Sequence, residues 1–218
     1  MSRALRRPPT GLRVEKVVTS GTFALDGGEW PVDNNVWLLG DDQSVVVVDA
    51  AHDAGRILAA VGDRNVPLVV CTHGHNDHIN AAVEVAAATE AEIALHPADH
   101  LLWAQEYGDL RPDIDLADGA TLELGDTTVA VLHTPGHTPG AVSLYAEDLG
   151  AVFCGDTLLR GGPGSTGRSH SDFAAIIASI RDRLLTLPAA TVLHGGHGAD
   201  TTIGAEAPHL PEWVSRGH

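Results

Sequence analysis

Short apolar runs separated by polar, glycine-rich breaks dominate the chain, and most are too short for helices. Leu12 to Ser20 alternates as a strand does, after which Gly27-Gly28 and Pro31 mark turns. Asn35 to Leu39 and Ser44 to Asp49 predict a hairpin over Gly40-Asp41-Asp42. Val66 to Cys71 reads as a buried strand: it is β-branched, short and closed by a polar turn. A helix over Ala54 to Val61 leads into it and makes a β-α-β unit. Further on, the pattern predicts a helix over 79–88, a strand over 92–96, a helix over 97–106 and an irregular excursion over 107–119. Thr121 to Leu124 and Thr127 to His133 predict a second hairpin around Gly125-Asp126, with strands at 141–145 and 151–154 behind it. Phe173, Ile176, Ile177, Ile180, Leu184 and Leu187 then form one helical stripe, capped at Ser171 or Asp172 and ended by Pro188. A last strand covers 190–193. No internal repeat is visible.

The densest chemistry follows the strand at 66–71. Thr72-His73-Gly74-His75-Asn76-Asp77-His78 packs three histidines and an aspartate into six residues. His73 and His75, two apart, point to the same side of an extended backbone. The turn into the next helix brings Asp77 and His78 back toward them. A lone histidine is ordinarily a surface or satisfied core residue; H-x-H-x-D-H is a spacing, and nitrogen and oxygen donors this close point to cations.

Other strand ends repeat the theme. Thr134-Pro135-Gly136-His137-Thr138-Pro139-Gly140 holds one histidine between two rigid Pro-Gly pairs. Gly155-Asp156-Thr157 puts at a strand end a carboxylate able to bridge two cations. His194-Gly195-Gly196-His197-Gly198 offers two further rings. Gly162-x-Gly164-x-x-Gly167 matches the dinucleotide fingerprint only formally, because it stands several residues beyond its strand and no acid follows at the needed distance. It reads as a loop beside the metal site.

Composition narrows the partners. The 218 residues carry a formal charge of −16, with 44% hydrophobic residues and mean hydropathy near zero. That balance argues against a phosphate-backbone partner and for a soluble protein; no stretch has the apolar length of a membrane span. Residues 1–11, with Arg3, Arg6, Arg7 and Pro8-Pro9 and no apolar region behind them, read as a flexible arm. Cys71 and Cys154, the only cysteines, read as buried thiols at strand ends and do not form a secreted disulfide framework, so a cytoplasmic location is expected. Oligomeric state is not legible.

These motifs, in this order, resemble the metallo-β-lactamase superfamily from about Asn34 to Gly204. The resemblance implies an α/β (α+β) fold, an αββα sandwich of two mixed sheets flanked by helices, in a single domain over 12–218. It implies that His73, His75 and His137 hold a first metal and Asp77, His78 and His197 a second, with Asp156 bridging. Asp49 would orient the ligands, and Asp77 would also orient the attacking water. His194 rivals His197, since the usual Pro-Gly-His-Gly reads Gly195-Gly196-His197-Gly198; register favours His197. Two divalent ions are expected, zinc first, with iron and manganese open.

Cysteine stands at position 156 in the best-known zinc β-lactamases, and glutamate at 75 in diiron flavoprotein relatives; neither holds here. Residues 155–158, 167–169 and 197–198, with Thr201-Thr202-Ile203-Gly204, are most similar to the glyoxalase II-like thioester hydrolases. The expected reaction is attack of metal-bound hydroxide on the thioester of a low-molecular-weight thiol. Arg168 and Ser169 would face an anionic substrate group. Tyr107, with Trp103, could line the mouth, although packing is the first reading for both, and Asn80, in place of a usual glycine, would add a polar group nearby. No added C-terminal thiol-binding domain is expected, which argues against glutathione as carrier and leaves another low-molecular-weight thiol, such as mycothiol, or coenzyme A open. The alternatives are a persulfide dioxygenase with one Fe(II) on His73, His137 and Asp156, a lactonase or other ester hydrolase, and a metal-binding module without turnover.

Overall fold

The computed structural model describes residues 11–125 and 127–217. Residues 1–10 of the expected arm and Asp126 of the second hairpin turn therefore lie outside it. Two six-stranded mixed sheets form the centre. The first runs in chain order: β1 (Arg13–Leu25), β2 (Gly28–Gly40), β3 (Val45–Val48), β4 (Leu68–Val70), β5 (Glu92–Leu95) and β6 (Ile114–Asp115). The second is built from β7 (Thr121–Leu124), β8 (Thr127–His133), β9 (Val142–Ala146) and β10 (Ala151–Gly155), with β13 (Val192–Gly195) and β14 (Thr201–Thr202) beyond β10. A small hairpin of β11 (Leu158–Leu159) and β12 (Gly162–Pro163) occupies the glycine-rich segment.

Side-chain alternation sets the layers. In β3, Val46 and Val48 join Trp37, Leu39 and Val70 against Val131, Leu144 and Phe153 of the second sheet, so the sheets pack face to face. Val45 and Val47 turn outward onto α1 (Ala54–Val61), α3 (Ala82–Thr89) and Trp103 of α4 (His100–Tyr107). On the far side, Val152, Cys154 and Leu193 pack on Ile176, Ile177 and Ile180 of α5 (Phe173–Ser179) and the wide turn after it. Burying each side chain of this size contributes roughly 1.5–3 kcal/mol. The order helix, sheet, sheet, helix is the expected sandwich.

Departures from the pattern have physical causes. β1 and β2 pair over their whole length around Asp26-Gly27, so Gly28 and Pro31 lie inside a strand and not in turns. Pro31 is tolerated because β3 pairs with β2 only from Trp37 onward, leaving an open edge. The helix expected over 79–88 is broken into α2 (Asn76–Ile79) and α3. At the break, the Ala81 amide donates to Ala50 O (3.1 Å) and Asn80 Oδ1 accepts from the His52 amide (2.6 Å). The last strand lies at 192–195 because Thr191 N closes a turn on Pro188 O. The excursion over 107–119 lends β6 to the sheet edge. Short helices α6 (Ile203–Glu206) and α7 (Leu210–Arg216) follow β14. Among the described residues, no helix is long and apolar enough to cross a membrane.

Candidate metal centre

Five chain segments meet at one end of the two sheets, each leaving the end of a strand: Asp49 after β3, 72–78 after β4, 134–140 after β8, Asp156 after β10 and 196–198 after β13. One donor atom each from His73, His75 and His137 lie within 4.8 Å of one another, and so do those of Asp77, His78 and His197. In the first group His75 Nδ1 faces His137 Nε2 at 2.9 Å. In the second, His197 Nε2 lies 3.5 Å from Asp77 Oδ2 and His78 Nε2 3.7 Å from the same oxygen. Asp156 stands between the groups: Oδ2 is 3.6 Å from His137 Nε2 and 3.3 Å from His197 Nε2, and Oδ1 is 3.6 Å from His78 Nε2. A side chain on Gly196 would run into Asp156 and His78, which accounts for the glycine beside His197.

Hydrogen bonds behind the rings decide which nitrogen is presented. His78 Nδ1 donates to Asp49 Oδ2 (3.0 Å), His137 Nδ1 to Ser165 O (2.8 Å) and His197 Nδ1 to Asp33 O (2.7 Å). Thr72 Oγ1 donates to Asp49 Oδ2 (2.7 Å) and so accepts from His73 Nδ1 (3.2 Å). Each of these four rings is turned with Nε2 toward the site, the orientation in which a metal-binding imidazole is held by its outer partners. Asp99 works on the backbone. Fully buried, it accepts from Gly74 N (2.8 Å), Thr138 Oγ1 (2.6 Å) and Gly140 N (2.5 Å), tying the loop of His73 and His75 to that of His137.

The donor set fits metal ions. His73 Nε2, Asp77 Oδ1 and Asp156 Oδ1 are buried without a protein partner, an arrangement that costs about 1–3 kcal/mol per atom unless something binds there. Burial holds the His73, His75 and His137 imidazoles below their usual pKa, hence neutral and ready to coordinate. His78 goes the other way: against burial, Asp77, Asp156 and Asp49 raise it to about 10. Burial likewise opposes ionisation of Asp156, yet His197 and His78 hold it well below the usual carboxylate range. A negative field on one side and neutral nitrogen donors on the other suggest a site for two metal ions.

A cavity of about 250 Å³ opens over this cluster, walled by Phe23, Val32 and Leu159, with Arg168 and Ser169 at its side. The Arg168 guanidinium lies 3.8 Å over the Trp30 ring and 5.0 Å from the Phe23 ring; Ser169 N donates to Asp26 Oδ2 (3.1 Å). Two expected pocket residues belong elsewhere. Tyr107 packs against Trp103 in the outer core, its hydroxyl on Ile79 O (2.6 Å), because the aromatic pair fills the space behind α2. The Asn80 side chain turns to His52 and away from the cavity. His194 is taken up by Trp37, Phe153 and Asp200 and belongs to neither donor group. Missed in the sequence were Asp99, Asn34, His52 and the Phe23–Trp30 pair. Asn34 stands in the polar triplet Asp33-Asn34-Asn35, which gave no signal, and Asp99 gave none.

The sequence profile of the metallo-β-lactamase superfamily matches residues 30–197, and the chain belongs to that superfamily, whose members are generally metal-dependent hydrolases. The chain is 33% identical over 188 residues to the protein named hydroxyacylglutathione hydrolase GloC of Haemophilus influenzae, covering 78% of this chain and 88% of that one. Among solved structures it is similar to the BLEG-1 B3 metallo-β-lactamase (28% identity, TM-score 0.77, 90% of this chain and 100% of that one). It is also similar to TTHA1623 in a di-iron-bound form (31% identity, TM-score 0.70, 87% and 96%).

Proposed function

We propose that this chain is a dinuclear metal-dependent hydrolase that cleaves a thioester of a low-molecular-weight thiol. The observation that carries the reading is the second donor group, Asp77, His78 and His197, packed beside His73, His75 and His137 with Asp156 touching both. In this reading those seven side chains hold two divalent ions, which supply a water of near-neutral pKa and polarise the scissile carbonyl. The persulfide dioxygenase alternative needs only His73, His137 and Asp156 and leaves the second group without a task.

The remaining work falls to the cavity. Phe23, Val32 and Leu159 wall one side, while Arg168, 3.8 Å over the Trp30 ring, offers its guanidinium to an anionic end of the substrate. The thiol leaves as a thiolate with little help from a general acid, since its pKa is about 8.5. The relative named hydroxyacylglutathione hydrolase, matched over 88% of its length, supports glutathione as one candidate carrier. Zinc remains the first choice of ion, and the di-iron form of TTHA1623 makes iron the second.

The test is metal content per chain on protein purified without added metal, with hydrolysis assays on the same sample. About two ions per chain, with turnover of hydroxyacyl thioesters and none of β-lactams, is the expected result. One iron per chain with oxygen uptake on a persulfide overturns the reading, as does β-lactam turnover without thioester turnover.

A further inference from the structure

We propose that Asn34, His52 and Asn80 form a positioning relay that sets Asp77 for the second metal ion; the inference rests on Asp77 being a ligand of that ion. His52 has a left-handed backbone (φ 62°) and sits in none of the donor groups, yet its ring is held at both nitrogens. The relay can be followed proton by proton. The His52 backbone amide donates to Asn80 Oδ1 (2.6 Å), which fixes the Asn80 amide with its nitrogen toward the ring. Asn80 Nδ2 therefore donates to His52 Nδ1 (3.0 Å). That leaves the proton of the neutral ring on Nε2, which donates to Asn34 Oδ1 (2.9 Å). The fully buried Asn34 amide is oriented in turn: its Nδ2 donates to Asp77 Oδ2 (3.1 Å) and lies 3.2 Å from Nε2 of His78 in the same donor group.

Each step leaves the next group one orientation, so a backbone amide on the far side of His52 decides what Asp77 meets. The consequence at the site is asymmetric. Asp77 Oδ2 is occupied by a donor, whereas Asp77 Oδ1, also buried, has no protein partner. A second observation supports a built arrangement: a side chain on Gly21 of β1 would run into the His52 ring, so the strand leaves room for it. The relay also gives Asn80 a task that its position beside the metal loop, outside the cavity, otherwise lacks.

The experiment is a titration of chelator-stripped protein with Co²⁺, following the visible absorption of each site. His52→Asn suits the left-handed backbone but is too short to reach Asn34; His52→Gln keeps a donor at that range. The expected result is a Kd for the second Co²⁺ weakened about tenfold in His52→Asn, the first unchanged, and most of the loss restored in His52→Gln. Thermal unfolding of the stripped proteins confirms that both variants fold. The relay is overturned if His52→Asn leaves the second Kd at its wild-type value, weakens both sites equally, or is no worse than His52→Gln. Wild-type protein that takes up one Co²⁺ only overturns the two-metal reading and the relay with it; two ions with unchanged affinities in His52→Asn overturn the relay alone.

Discussion

His73 and His78 stand on opposite sides of neutrality although their ring centroids are 4.1 Å apart. Burial pushes His73 well down, as it does His75, while the carboxylates around His78 outweigh burial and raise it to about 10. In the metal-free protein at pH 7–8 the first group thus offers bare lone pairs, and the second holds a proton that an entering ion must displace. The sign follows directly. Below the raised pKa of His78 the proton competes, so second-site affinity falls as pH falls, by about tenfold per pH unit between pH 10 and 7, whereas the first site stays flat. Calorimetric titration in two buffers of different ionisation enthalpy would count the protons: about none for the first ion, about one for the second. Equal counts would remove the electrostatic asymmetry. The 73–78 cluster was legible from residue types and spacing, whereas His137, Asp156 and His197 were picked out by their register with the family. The charge states of these donors were not legible, since these depend on burial and on carboxylates that arrive from other strands. Asn34 and His52 were hidden for the same reason: their partners lie 18 to 43 residues away.

The strands matter less for their lengths than for where they stop, because every donor sits on a segment leaving a strand end. Two of those segments, 72–78 and 134–140, are tied together by Asp99, which bonds both. Burial pushes its pKa up while three donors work against that shift. In Asp99→Asn the charge-assisted bonds are lost and an amide N–H₂ must face a backbone N–H. The expected cost is about 2–3 kcal/mol in denaturant unfolding of the metal-free protein, together with a weaker first metal site and a second site little changed. A cost within ~0.5 kcal/mol, the range of an ordinary surface change, would show that the loops hold their positions without it. Period-2 and period-3.6 patterns located the two hairpins, α1 and the α5 stripe, where side-chain alternation and burial agree. They failed at the break between α2 and α3 and at Pro31. There, tertiary hydrogen bonds to residues 50 and 52 in one case and an open strand edge in the other override local preference.

Periodicity along the chain does not say which strands share a sheet, and here the sandwich was legible through family resemblance alone. Its topology has a mechanical consequence. His73, His75, Asp77 and His78 leave the first sheet, whereas His137, Asp156 and His197 leave the second, so each donor group spans the seam between them. Bound ions would then clamp two layers whose outer faces are already secured by their own helices. With each layer so supported, stripping the ions should leave the secondary structure intact and lower only the stability of the seam. Ligand linkage sets the size: about 2.7 kcal/mol at a free ion concentration of 100 Kd and about 4.1 kcal/mol at 1,000 Kd. For a chain of this length that corresponds to roughly 5–15 °C in Tm. Thermal melts with and without chelator, followed by far-UV circular dichroism, should show overlapping spectra at 20 °C and a midpoint lowered by that amount, restored on adding back zinc or iron. A midpoint indifferent to chelation would mean that the face-to-face core of Trp37, Leu144 and Phe153 holds the sheets together unaided and that ions do not bridge the seam.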